Sequence, residues 1–289
     1  MSATLDREEY IEQTYFFRTL RERMFEEQIP TQIVLERIHE EILAITRLPM
    51  AIQFISTELK HSGLLSSGFT RLAHYFTPFQ AFVITQSENA RNRFSVEVAL
   101  LVLEREAQFR SGTLGDPTPQ GLFVYQFESL SRNRLGYEEG LRALQADPYF
   151  DEAWKSYIDL VRRQVGGVDF ADLIYVRSQW YVTDQRRHTP DYAPPLEPLF
   201  GEKEGRIAKA NRGRDPLYLF AALQRQLGYP EVPRIKAKDD PSVRLKEMEV
   251  KLKELEARLK LVEADQRGTL DLSEFMVKPE LIKPPEDVE

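Results

Sequence analysis

The sequence contains no cysteine, which excludes disulfide bonds, thiolate metal sites and every mechanism built on a cysteine nucleophile. Long apolar runs are missing too. The most extended resemble VALLVL at 98–103, far short of the roughly 18 consecutive apolar residues that would span a bilayer. The first ten residues, MSATLDREEY, lack the basic start and apolar core of a secretory signal, so a soluble protein in a reducing, cytoplasmic setting is expected. Enzyme signatures are also wanting: there is no GxGxxG, no Walker loop, no GxSxG elbow and no HExxH. Serines, the four histidines and 46 acidic residues occur without a spacing that proposes a catalytic triad, so the sequence nominates no catalytic residue.

What is present is helical. With 289 residues, 42% of them hydrophobic, the chain is long enough for one to three domains and a large core. Apolar residues recur at helical spacing, and strictly alternating runs are scarce. A repeated device marks helix starts: Thr77-Pro78, Thr118-Pro119, Asp147-Pro148, Asp215-Pro216 and Asp240-Pro241. The Thr or Asp oxygen can accept from the free N–H groups of a first turn, and proline at the first helical position has no N–H to leave unpaired. Asp6 with Glu9 three residues on adds a capping-box pattern before the first helix. Helices are expected over 6–28, 31–47, 49–61, 70–76, 78–90, 94–110, 119–134, 137–146, 150–164 and 169–183.

The fold class is therefore all-α: a compact multi-helix domain at 1–188, a proline-rich linker at 189–201, a small basic helical pair at 202–230, a second linker at 231–241, a coiled-coil helix at 242–264 and a largely disordered tail at 265–289. The linker holds four prolines between 190 and 198, which favours extended backbone; it is expected either as a connector or as a strap across another surface. Residues 135–148, LGYEEGLRALQADP, resemble part of a tetratricopeptide repeat, but no second copy follows at the 34-residue period that an array requires.

The most specific pattern lies in SVRLKEMEVKLKELEARLKLVEA at 242–264. Leu245, Leu252 and Leu259 occupy heptad position a, and Met248, Leu255 and Val262 occupy d. Position g holds Arg244, Lys251 and Arg258, and position e holds Glu249, Glu256 and Glu263. A parallel homodimer sets each g against the partner's e five residues on, and all three pairs are then attractive. The antiparallel arrangement sets like charges together. The competing readings are docking of this stripe on the chain's own body and a free helix held by pairs such as Glu247 with Lys251.

Three further patterns point to ligands. Glu36-x-x-His39 and Glu58-x-x-His61 each place a carboxylate and an imidazole one helical turn apart, which resembles the Glu-x-x-His motif of ferritin-like di-iron proteins. The resemblance implies an iron or manganese site, with the remaining carboxylates drawn from Glu12, Glu22, Glu97 or Glu104. Residues 263–275, EADQRGTLDLSEF, resemble an EF-hand calcium loop, although Arg267 stands where a ligand oxygen belongs. Residues 201–238 carry nine Lys or Arg against four Asp or Glu, so the overall charge of −7 conceals a local positive excess. Lys203, Arg206 and Lys209 share a helix face, and Arg212 and Arg214 flank the start of the next helix, where free N–H groups favour an anion. Aromatic residues are not interleaved as a nucleic-acid stacking platform requires, so nucleic acid is not the expected partner. Together these features favour a non-catalytic helical scaffold or adaptor that binds proteins and self-associates through a parallel coiled coil. A carboxylate/histidine metalloprotein and a phosphate- or nucleic-acid-binding module are the alternatives.

Overall fold

A computed structural model describes residues 5–89, 91 and 94–234, all within one compact unit spanning residues 1–235. The heptad segment, the EF-hand-like loop, Asp240-Pro241 and the tail lie outside the described residues. Among the described residues there are thirteen helices and no strand, so the body is all-α. They are α1 (Arg7–Phe25), α2 (Thr31–Ile38), α3 (Leu48–Ser62), α4 (Leu65–Arg71), α5 (Pro78–Glu88), α6 (Val96–Arg110), α7 (Pro119–Asn133), α8 (Tyr137–Gln145), α9 (Glu152–Gln164), α10 (Phe170–Val176), α11 (Gln179–His188), α12 (Glu202–Ala210) and α13 (Pro216–Leu227).

Three of the five Thr/Asp-Pro junctions start helices as their chemistry suggests. Thr77 forms a full capping box with Gln80, Thr118 accepts from the Gly121 N–H, and Asp215 accepts from the Leu217 N–H. Asp147 does not start a helix. It is fully buried and ion-paired to Arg110, while Asp151 caps α9 four residues later. The capping box expected at Asp6 and Glu9 is also absent, because Glu9 is drawn into the core. One carboxylate oxygen accepts the Tyr75 hydroxyl at 2.7 Å, and the other accepts the Arg47 backbone N–H at 2.8 Å. That second bond, with one from the Leu43 N–H to Glu12, takes up N–H groups that a continuous helix would use internally. The helix expected over 31–47 accordingly ends at Ile38 and gives way to turns.

The centre of the body is α7, in which every residue from Gly121 to Leu130 is buried. A helix buried on all sides must be enclosed by others, and its polar members are hydrogen-bonded: Gln126 donates to Glu106 and Glu128 accepts from Tyr229. Around it stands an aromatic cluster drawn from distant parts of the chain. Phe127 stacks on Phe170 at 3.8 Å between centroids, Phe123 meets Tyr157 at 5.5 Å, and Trp154 meets Phe200 at 5.4 Å. The pair α12 and α13 buries Ala208, Leu219, Phe220 and Leu223 in this same core. The segment that follows is packed as well: the Tyr229 hydroxyl donates to Glu128 at 2.7 Å and the Asn133 amide donates to the Pro233 carbonyl at 2.9 Å. The body thus extends through the expected linker and helical pair.

A buried charge cluster ties the first half of the chain to the second. Arg110 and Glu106 on α6 and Asp147 before α9 are almost wholly inaccessible, with side-chain exposures of 2%, 0% and 0%. Arg110 bridges both carboxylates, and its guanidinium lies 5.8 Å from the Tyr10 ring centroid and 5.6 Å from that of Tyr149. Gln126 of α7 donates to Glu106 at 2.8 Å. Burial pushes the Glu106 carboxyl upward, and the Arg110 guanidinium opposes that push.

Candidate binding site beneath the proline-rich strap

The continuous helix expected over 169–183 is broken, with α10 ending at Val176 and α11 beginning at Gln179. No glycine or proline marks the break. Ser178 supplies it, since its hydroxyl accepts from the Tyr181 N–H as the cap of α11 and donates to the Tyr175 carbonyl at 2.6 Å. The opened backbone then binds the proline-rich segment. Leu199 and Phe200 both donate their N–H groups to the Arg177 carbonyl, at 2.9 and 3.1 Å, and the Gln179 N–H donates to the Phe200 carbonyl at 2.8 Å. Gln120 of α7 adds a bond to the Leu199 carbonyl at 2.6 Å. Residues 189–201 are therefore a strap fastened across α9, α10 and α11. Its prolines have no N–H groups to leave unpaired.

Beneath this strap is a cavity of about 350 Å³. Leu160, Leu173 and Val182 line it from the helices, and Pro194, Pro195 and Leu196 line it from the strap. Val176 and Leu196 stand at its rim and are more than half exposed. The wall also includes Arg177, only 7% exposed. Its Nη2 donates to the Glu197 carbonyl at 3.2 Å, and its guanidinium lies 5.6 Å from the Tyr157 ring centroid. The buried Nε has no hydrogen-bond partner. Among the described residues no carboxylate comes within ion-pair distance of Arg177. Burial without a counter-ion pulls this guanidinium below its ordinary pKa. Buried charges are normally paired, so Arg177 is an exception that calls for an explanation. In the sequence Arg177 lies inside the helix expected over 169–183, and its one signal is that it is the lone cation in the largely apolar stretch ADLIYVRSQWYV at 171–182.

The basic residues expected to form an anion site lie on the neighbouring surface. Lys209 bonds Asp184 at 2.6 Å, Arg212 is paired with Asp172, and both lie over the Tyr175 ring. Arg206 lies 4.2 Å from the Trp180 centroid and pairs with Glu202 at 3.4 Å. Lys203 and Arg214 are exposed. At the start of α13 the Asp215 side chain takes the Leu217 N–H, and Asp169 takes the Gly213 N–H at 2.8 Å. Three of the five cations thus face carboxylates and rings of this same chain, which fastens α12 to α10 and α11.

Lys209 and the Tyr175 hydroxyl, both hydrogen-bonded to Asp184, hold its carboxyl below the ordinary aspartate range. A carboxylate with a lowered folded pKa contributes stability above its ordinary pKa, and that contribution is lost as pH falls through the lowered value. Asp184→Asn is accordingly expected to destabilise the chain near neutrality, with the gap to wild type closing as pH drops below about 4. Urea midpoints across that range check this.

The two Glu-x-x-His motifs are also engaged elsewhere. Glu36 is ion-paired to Lys60 at 2.8 Å, and the buried Glu58 accepts from Arg71 at 2.6 Å and from the Ser67 hydroxyl at 3.0 Å. His61 is exposed, while the half-buried His39 has an unpartnered Nδ1. Among the described residues no group of three or more His, Asp or Glu side chains is arranged to hold a metal ion, and no helix is long and apolar enough to cross a membrane.

No family model matches the chain, and no curated protein or solved structure matches it.

Proposed function

We propose that the protein is a helical scaffold or adaptor that self-associates through the parallel heptad seam at 242–264 and presents its helical body to protein partners. The observation that carries this reading is the charge register of the seam: Arg244, Lys251 and Arg258 at g face Glu249, Glu256 and Glu263 at e of a parallel second copy. Complementary e and g charges set partner choice and orientation in coiled coils. The committed contacts of Glu36, Glu58, Lys209 and Arg212 make the metalloprotein and anion-binding readings the less economical ones, because each would first have to break an ion pair.

Two charge-reversed full-length variants test the seam. One carries Glu249, Glu256 and Glu263 changed to Lys, and the other carries Arg244, Lys251 and Arg258 changed to Glu. Each alone places like charges at all three g–e' pairs and is expected to associate at least tenfold more weakly than wild type. Mixing them restores attraction, and a 1:1 mixed assembly should form, detectable by pull-down between differently tagged chains. Unchanged self-association of both variants would sink the proposal.

A further inference from the structure

We propose that the cavity beneath the strap is a binding site for a small monocarboxylate with an apolar tail, its carboxylate seated on Arg177. A volume of about 350 Å³ falls at the small-ligand end of the range for binding pockets. The lining from Leu160, Leu173 and Leu196 favours an apolar body, and the single cation favours one negative charge. The planar guanidinium fork matches a carboxylate in particular. Asp172, the acid on the same wall, is matched by Arg212, so it does not cancel the positive charge of Arg177. The strap also fixes the arginine in advance. It grips the backbone carbonyl through Leu199 and Phe200 and the side chain through the Glu197 carbonyl, so little side-chain freedom remains to be lost on binding. The exposed Val176 and Leu196 mark the entry.

This inference stands apart from the proposed self-association, because none of its residues lies in the heptad segment. Octanoate titrated calorimetrically into the full-length chain is the test, with octanol and octylamine as probes that keep the tail and change the head. One octanoate per chain is expected, with octanol at least tenfold weaker and octylamine not bound. Arg177→Met should weaken octanoate at least tenfold while leaving octanol unchanged. Val176→Trp keeps the arginine but fills the rim, and should weaken octanoate and octanol alike. Equal affinity for octanoate and octanol, undiminished octanoate binding by a folded Arg177→Met or Val176→Trp chain, or no octanoate binding to wild type at millimolar concentration would each overturn the assignment. A peptide bound through its terminal carboxylate where octanoate is not would overturn it too.

Discussion

Arg110→Met is expected to be among the most destabilising single substitutions in the body, at about 3–5 kcal/mol at neutral pH, the cost of leaving buried charge uncompensated. Removing the arginine leaves Glu106 and Asp147, both without solvent exposure, with no cation between them. For a domain of this size that loss corresponds to a fall in thermal midpoint of roughly 10 °C. The pH dependence distinguishes this cause from simple loss of packing. In the wild type, burial raises the Glu106 carboxyl and Arg110 lowers it; in the variant, burial and the repulsion between the two acids act in the same direction. A carboxyl whose folded pKa is raised contributes stability below its ordinary value, and this is lost as pH rises through the raised one. Arg110→Met should therefore gain stability relative to wild type on acidification. Adding Glu106→Gln and Asp147→Asn should remove that pH dependence and recover part of the loss. A thermal midpoint equal to wild type at pH 7 would contradict the cluster's role.

Gly205→Ala should also destabilise, which reverses the usual sign. In an exposed helix interior the change from Gly to Ala stabilises by about 1 kcal/mol. In α12 a Cβ at position 205 would lie 2.6 Å from the Trp180 Cβ and closer still to the Ser178 hydroxyl. Neither neighbour can withdraw easily, since Ser178 is buried and holds the break between α10 and α11, and the Trp180 Cβ is fixed by the α11 backbone. Overpacking of this kind costs about 1–3 kcal/mol. Because Ser178 also sets the position of Arg177 and the strap, the variant should loosen the cavity wall, and octanoate binding should weaken with it. Chemical denaturation and calorimetry read the two effects separately.

Much of the architecture was legible because helix boundaries here follow local chemistry. Thr77, Thr118 and Asp215 cap the helices that their sequences announce, and Gly63 ends α3 with the left-handed φ that glycine favours. Three of the failures arise where a group is claimed by a distant partner, whereas the helix expected over 70–76 lies earlier, at Leu65–Arg71. Glu9 and Asp147 carry local capping patterns but are taken by Tyr75 and Arg110, and the break at Arg177-Ser178 is held open by residues about twenty positions later. The candidate sites fared as the same logic dictates. Spacing placed Glu36, His39, Glu58 and His61 at helical offsets, yet it carries no information on Lys60 and Arg71, the cations across the helix contacts. Arg177 shows in the sequence only as a lone cation, because its importance lies in a missing partner, which only a three-dimensional arrangement reveals.

Association of the chain through 242–264 is the proposal with the most direct physical readout. Light scattering on the full-length protein, alongside a variant with Leu252→Glu and Leu255→Glu, tests it most directly. Wild type is expected at two or more times the chain mass of 33.7 kDa at micromolar concentration, and the variant at one chain mass with an unchanged helical body. A wild-type mass of one chain across that range would contradict the account.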